Sequence, residues 1–306
     1  MDSTNGFFRA QQIGPLGRRA FLRTRLQFAW TDTDNRSAIE MRTIRVHDAF
    51  TSGGAQVSGG QHSRTMVFGS DLDYVRGIHS VRVGVMADIY LYRSDANTNY
   101  LGTYTFENLE AYQAGTPRSY TRRIGDPNVR YNNAQVGVYI QDDIRVRRSL
   151  SISPGLRYEA QTHVPDKFNL APRIGMTWSP FRAGRTSIRA SIGLFYDWLN
   201  TGTYQQTLLV DGFRQQEVNL RNPLYPDPGA LGAAPATNRY LLAEGMRMPK
   251  TTRLSLGLTH TFNPRFSASG LYTDAWGTAI LVGRNLNAPV SGVRPDARFA
   301  NVIAAA

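Results

Sequence analysis

Five histidines, His47, His62, His79, His163 and His260, are the chain's candidates for proton transfer and metal ligation. No two stand at the HExxH spacing that puts two ligands and a base on one helix face. His163 precedes Asp166 by three residues and could form a loop-borne acid–base pair. An exposed loop histidine explains it more simply. Gly69-Ser70-Asp71-Leu72-Asp73 sets two carboxylates at i and i+2, on one face of a strand. It lacks the glycine and the distal glutamate of a calcium-binding EF-hand loop, so a polar channel wall accounts for it better. Cysteine is absent, which removes disulfides and thiolate chemistry. No nucleophile and base converge in spacing, and the sequence therefore predicts no catalytic residue, no metal site and no cofactor.

The richer constellation is a polar row. From Ala134 onward, Ala134, Val136, Val138, Ile140, Ile144 and Val146 alternate with Gln135, Tyr139, Gln141, Asp143, Arg145 and Arg147, and Asp142 breaks the apolar set. After Arg147-Arg148-Ser149 the alternation resumes. Leu150, Ile152, Pro154, Leu156 and Tyr158 oppose Ser151, Ser153, Arg157, Glu159 and Gln161. Successive strand residues face opposite sides, so the hairpin has one apolar wall and one polar wall. Each strand reaches the roughly 9–11 residues that a tilted strand needs to cross a bilayer. Tyr139, Gln141, Asp143, Arg145, Arg157 and Glu159, with Arg173 and Arg189 of the next hairpin, form a polar face able to contact a solute. The alternative is a ladder of cross-strand charge pairs that satisfies itself.

Similar strands are predicted over 20–31, 63–74, 79–92, 169–178, 186–197, 252–262 and 265–276, with a weaker one ending about His47. Tight turns include 75–78, 147–149, 179–184 and 263–264. Long polar segments fill 94–133 and 199–250, and the second carries Pro223, Pro226, Pro228 and Pro249, which excludes a central strand. Short and mostly longer connections alternate, as in outer-membrane barrels with short periplasmic turns and long external loops. Trp30 and Trp178 lie beside short turns, and Tyr92, Tyr158, Tyr196 and Trp198 near long loops, like two interfacial girdles. The expected fold is all-β: an antiparallel up-and-down transmembrane β-barrel segment of about ten or eleven strands of a larger barrel, with long external loops. The external segments offer Tyr204, Arg214, Tyr225 and Tyr240 as further ligand-binding candidates and are expected to bind without a packed core.

Composition agrees with this fold. The chain has 306 residues, a formal net charge of +12 and 35 Lys+Arg against 23 Asp+Glu. The arginine excess is dispersed, without the lysine clusters or signatures of nucleic-acid binders, so nucleic acid is not an expected partner. No run of 18 apolar residues exists and mean hydropathy is −0.36, which excludes helical spans but not an alternating barrel wall. The rival readings are a barrel enzyme or adhesin in the outer membrane, and a soluble β-sandwich binding protein that buries both apolar faces itself.

The ordered set of motifs resembles one family. Val138–Asp143, "VYIQDD", followed by "LSISPGLRYE" from Leu150, is similar to a barrel hairpin of TonB-dependent outer-membrane receptors. "NLAPRIGMTWSP" from Asn169 and "TSIRASIGLFYD" from Thr186 resemble the next two strands. "GTYTFENLEAY" from Gly102 and "NLNAP" from Asn285 resemble the Oar-like subgroup that bears a carboxypeptidase-regulatory-like domain. The resemblance runs from about Gly14 to Val302. It implies a cell outer-membrane location, with the surrounding lipid as one partner, and energised uptake of a large or scarce solute such as a sugar, peptide or chelate. It also implies a TonB complex reached through a plug domain. No plug, TonB-contacting box or signal peptide is recognisable in residues 1–306. The expectation is therefore a fragment of one receptor barrel domain, or a truncated gene product.

Overall fold

The computed structural model describes residues 1–181, 184–229 and 237–305. Ten long strands form one antiparallel sheet, each paired with the next in the chain: β1 (Asp2–Leu16), β2 (Ala20–Asn35), β3 (Val57–Arg76), β4 (His79–Ser94), β5 (Val129–Arg147), β6 (Leu150–Gln161), β7 (Asn169–Trp178), β8 (Thr186–Tyr196), β9 (Lys250–Asn263) and β10 (Phe266–Thr278). A two-residue strand, Asn97–Thr98, adds to β3 off this path. This is the up-and-down order that the alternating patterns predict.

Register turns sequence parity into two surfaces. Leu22, Leu72, Val83, Ile140, Leu156 and Pro172 lie side by side across six strands. Pro154, Ile174, Ile192 and Leu254 continue the same face. Ile140 is 52% exposed and Ile174 50%. One such residue in water would be unremarkable, but a contiguous belt of them marks a surface that meets lipid. All strand N–H and C=O groups inside the sheet pair with neighbours, which the bilayer core requires. Asp142, the break in the apolar row, is at home near the tight turn. Its carboxylate pairs with His79 Nδ1 at 2.6 Å and accepts the Ser80 N–H at 3.1 Å, beside a register shift in β5.

Three expectations change. The first wall strand is β1, ahead of the predicted start at Ala20. Its sequence, Asp2–Leu16, does not alternate, and its strand state comes from pairing with β2 along its whole length. The weak strand ending near His47 forms as Thr43–Val46, but outside the wall. The long segments are folded: Gln215–Arg221, Ser119–Gly125, Thr103–Phe106, Thr43–Val46 and Phe50–Ser52 make a five-stranded sheet drawn from three separate connections. It buries Val46, Tyr104, Phe106 and Tyr120, so these loops do have a packed core. Two helices, α1 (Leu109–Gln113) and α2 (Thr201–Leu209), are N-capped by Asn108 and Asn200. Arg182 and Ala183 of the predicted 179–184 turn lie outside the described residues.

Candidate functional site

The inward face of the wall carries three polar rows fixed by register. The first runs Arg23, Asp71, Gly84, Tyr139, Arg157, Ala171. The second runs Arg25, Gly69, Met86, Gly137, Glu159, Asn169, and the third Asp73, Arg82, Gln141, Gly155, Arg173, Gly193, Arg253. Glycine between large side chains lets those side chains lie flat along the wall. A Cβ on Gly84 would come within 2.4 Å of the Tyr139 ring. With glycine there, Tyr139 crosses β4 and donates its hydroxyl to Asp71 at 2.5 Å.

The chemistry of this face is charge held in pairs. Asp73 accepts from Arg82 at 2.5 Å, and Arg157 pairs with Glu159 while its guanidinium lies 5.9 Å from the Tyr139 ring centre. Arg157 and Glu159 are two apart on one strand, so the expected cross-strand ladder with Asp143 and Arg145 does not form. The register sets Arg157 opposite Tyr139 and Glu159 opposite Gly137. Asp143 bonds instead to Ser153, and the Arg145 backbone N–H bonds to the Ile78 carbonyl at the tight-turn end. Arg173 lies 4.8 Å from the Phe195 ring, which Arg253 approaches from 5.5 Å. Gln141 sits between Arg82 and Gly155. Arg189 stands apart, between Thr177 and Gly257, lining a cavity of about 610 Å³. Among the described residues, Asp88 Oδ1, Glu159 Oε2 and Arg173 Nε are buried without a hydrogen-bond partner. They are polar atoms suited to a further contact.

The external candidates go to four places. Tyr204 of α2 stacks on His163, ring centres 3.8 Å apart, and meets Tyr131 edge-on; burial pushes its phenol up. His163 brings its Nε2 to the Asn132 carbonyl, so it is not paired with Asp166. Arg214 reaches Asp126 at 3.3 Å and the Asn128 carbonyl at 2.8 Å. The Asn128 backbone and side-chain N–H groups, with Arg214, hold Asp126 below the usual carboxylate range. Tyr225 packs edge-on to Tyr104 and Phe106 and belongs to the core of the external sheet. Tyr240 lines a separate cavity of about 530 Å³ with Gln206 and Ile303.

Other residues at the mouth were open to parity reasoning and were missed. Tyr90, Tyr92 and Tyr131 share inward parity at the long-loop end and form one aromatic cluster. Buried Gln161 bridges the wall to the start of the 199–249 connection. Its amide donates to Asn133 Oδ1 and the Leu199 carbonyl, and its carbonyl accepts the Leu199 N–H at 2.8 Å. Gln56 does the same for the external sheet, accepting from the backbone of Leu101 and Gly102 and donating to the Gly102 carbonyl.

Comparison with known proteins gives this geometry a family. No curated protein matches the chain in sequence. Among solved structures, the outer membrane transporter YddB from Escherichia coli is similar, with a TM-score of 0.64 at 15% identity over 99% of this chain and 37% of that one. The ferric enterobactin receptor PfeA from Pseudomonas aeruginosa, as its G324V mutant, gives 0.59 at 14% identity over 99% and 39%. FpvA of P. aeruginosa, bound to a heterologous pyoverdine, gives 0.53 at 11% over 99% and 36%. The chain thus spans less than two-fifths of the length of each. The likeness shows the fold: an outer-membrane barrel wall that matches transporters and receptors. The family model for the outer membrane beta barrel domain matches residues 4–167 and 161–305. The chain belongs to that outer-membrane β-barrel family.

Proposed function

We infer that this chain is wall and external cap of a receptor that takes up a large or scarce solute, a ferric chelate, sugar or peptide. The energy comes from a TonB complex, reached through a plug carried elsewhere in the protein. Residues 1–306 are then part of a single barrel domain. The observation that carries this reading is the cap. Three separate connections combine into one folded sheet beyond the wall, whereas loops that merely join strands need no shared core. The inward faces supply the second half: Tyr139, Gln141, Asp143, Arg145, Arg157, Glu159, Arg173 and Arg189 offer paired charge and unpaired polar atoms to a plug or a passing solute. Tyr204 and Tyr240 line openings near the mouth, while Arg214 and Tyr225 hold the cap together. The similarity to a ferric enterobactin receptor supports the chelate among the three classes. The test is accumulation of labelled ferric chelates, oligosaccharides and oligopeptides by cells making the full-length receptor, with and without the energising complex. Accumulation that needs both receptor and complex supports the reading. Accumulation indifferent to the complex refutes it.

A further inference from the structure

The outward face does not end in neutral residues where the apolar belt stops. On β4 the outward residues run Val81, Val83, Val85, Ala87, Ile89, Leu91 and then Arg93. Val81 to Leu91 is about 33 Å of strand. Tilted by roughly 40°, it covers about 25 Å of height, the apolar band of an outer-membrane barrel. Arg93 is the next outward residue, at the interface on the long-loop side. Its direct partner across the sheet is Arg130, and both are exposed.

Two like charges set directly opposite each other are unfavourable unless something anionic bridges them. Among the described residues, no carboxylate pairs with either arginine. Asp32, the nearest acid in register, is committed to Arg64 and His62, each at 2.8 Å, and Asp95 accepts the Gly60 N–H. The pair borders a cavity of about 840 Å³ lined by Arg64, Arg93, Arg130, His62, His163 and Leu91, together with Tyr204 and Leu208 of α2, and no carboxylate lines it. The neighbouring rows toward the membrane hold Trp30 with Leu91, then Phe28, Met66 and Ile89.

We propose that Arg93 and Arg130 bind the phosphate of an external-leaflet lipid headgroup, with its acyl chains on Leu91, Ile89, Met66 and Phe28. Charge complementarity selects the anion, and continuity with the lipid-facing belt selects a lipid over a dissolved phosphate. Two guanidiniums on one face offer a phosphate bidentate contacts that a single surface arginine does not. The site faces away from the lumen rows, so it is separate from the solute path.

The test is native mass spectrometry of the full-length receptor in detergent, with phosphatidic acid, with diacylglycerol of the same chains, and with inorganic phosphate. Phosphatidic acid should bind, and diacylglycerol should not. R93Q/R130Q should weaken phosphatidic acid binding by about tenfold, the loss of one charge-assisted contact. R93K/R130K should retain most of it. Heat-modifiable migration checks that each variant is folded, and R130Q alone replaces the double variant if that fails. Equal retention of diacylglycerol, or unchanged binding in R93Q/R130Q, overturns the proposal. Inorganic phosphate that competes completely at equal concentration also overturns it, because the site would then be one for free phosphate.

Discussion

Replacing Val138 with arginine is the sharpest probe of which face meets lipid. Val138 is 44% exposed and pairs with Val85 on one side and Tyr158 on the other. Val85 lies near the middle of the outward row from Val81 to Leu91, so Val138 sits near the bilayer midplane. An arginine there costs about 2–4 kcal/mol, a fall of about 30- to 700-fold in the folded-to-unfolded ratio. The same substitution at Gln141, three residues on and inward, should cost less than about 1 kcal/mol, since it adds one charge to a polar surface. Leu91→Arg, at the upper edge of the belt, should cost about 0–1 kcal/mol, because the penalty falls with distance from the midplane. The assay is denaturant unfolding of the full-length protein in phospholipid vesicles, followed by fluorescence of Trp30, Trp178, Trp198 and Trp276. The order Val138 far above Gln141 and Leu91 is required. Equal costs at Val138 and Gln141 would refute the assignment of faces, and a Leu91 cost matching Val138 would refute the placement of the belt.

Three further outcomes are expected of the external cap. Phe106→Ala removes a fully buried ring and should cost the cap about 3–5 kcal/mol; hydrogen exchange should speed up in Thr103–Phe106 and Ser119–Gly125 and not in β5 or β6. Burial pushes the Tyr104 phenol up to about 12, above the unfolded value of about 10. Its stabilisation is therefore full below pH 10 and lost as pH rises from 10 toward 12; loss of the late-titrating tyrosine from an ultraviolet titration of Tyr104→Phe would check this, and an unchanged profile would contradict it. Deleting most of residues 199–249 from the full-length receptor should leave membrane insertion intact and abolish solute capture; retained capture at unchanged affinity would make this connection a lid and move the site to the wall or plug.

The wall was legible because a strand in a bilayer has only one way to be read. Its side chains alternate, and each face meets a different medium, so Val81–Leu91 and Ala134–Val146 write the fold into their residue types. β1 was not legible for the same reason inverted. Phe7 and Phe8 are neighbours, and Arg9, Gln11 and Gln12 are polar on both parities, so only β2 beside it makes it a strand. The lumen rows were half legible. Parity gave the inward set, but not which partners meet, because that depends on register. Arg157 finds Glu159 on its own strand, and Asp71 is reached by Tyr139 from two strands away across Gly84.

The cap was the part that local patterns could not reveal, and its construction explains why. Thr43–Val46 pairs in parallel with Thr103–Phe106, and Ser119–Gly125 pairs with Gln215–Arg221. Each strand is only four to seven residues long, too short to carry a period that stands out from loop composition. The sheet exists only because the wall holds the bases of three connections side by side, which lowers the entropy of bringing them together. Aromatic residues that look like free ligand contacts in sequence, Tyr104, Tyr120 and Tyr225, are then consumed as its core. What remains for recognition is what the cap leaves at its borders: the Tyr204–His163 stack, the aromatic cluster of Tyr90, Tyr92 and Tyr131, and the cavity beside Tyr240. A cap with its own core and few points of attachment can move as a unit over such a mouth, and Gln56 and Gln161 are the buried side chains whose hydrogen bonds resist that motion. Alanine at either position should therefore loosen the cap or the 199–249 connection without disturbing the wall.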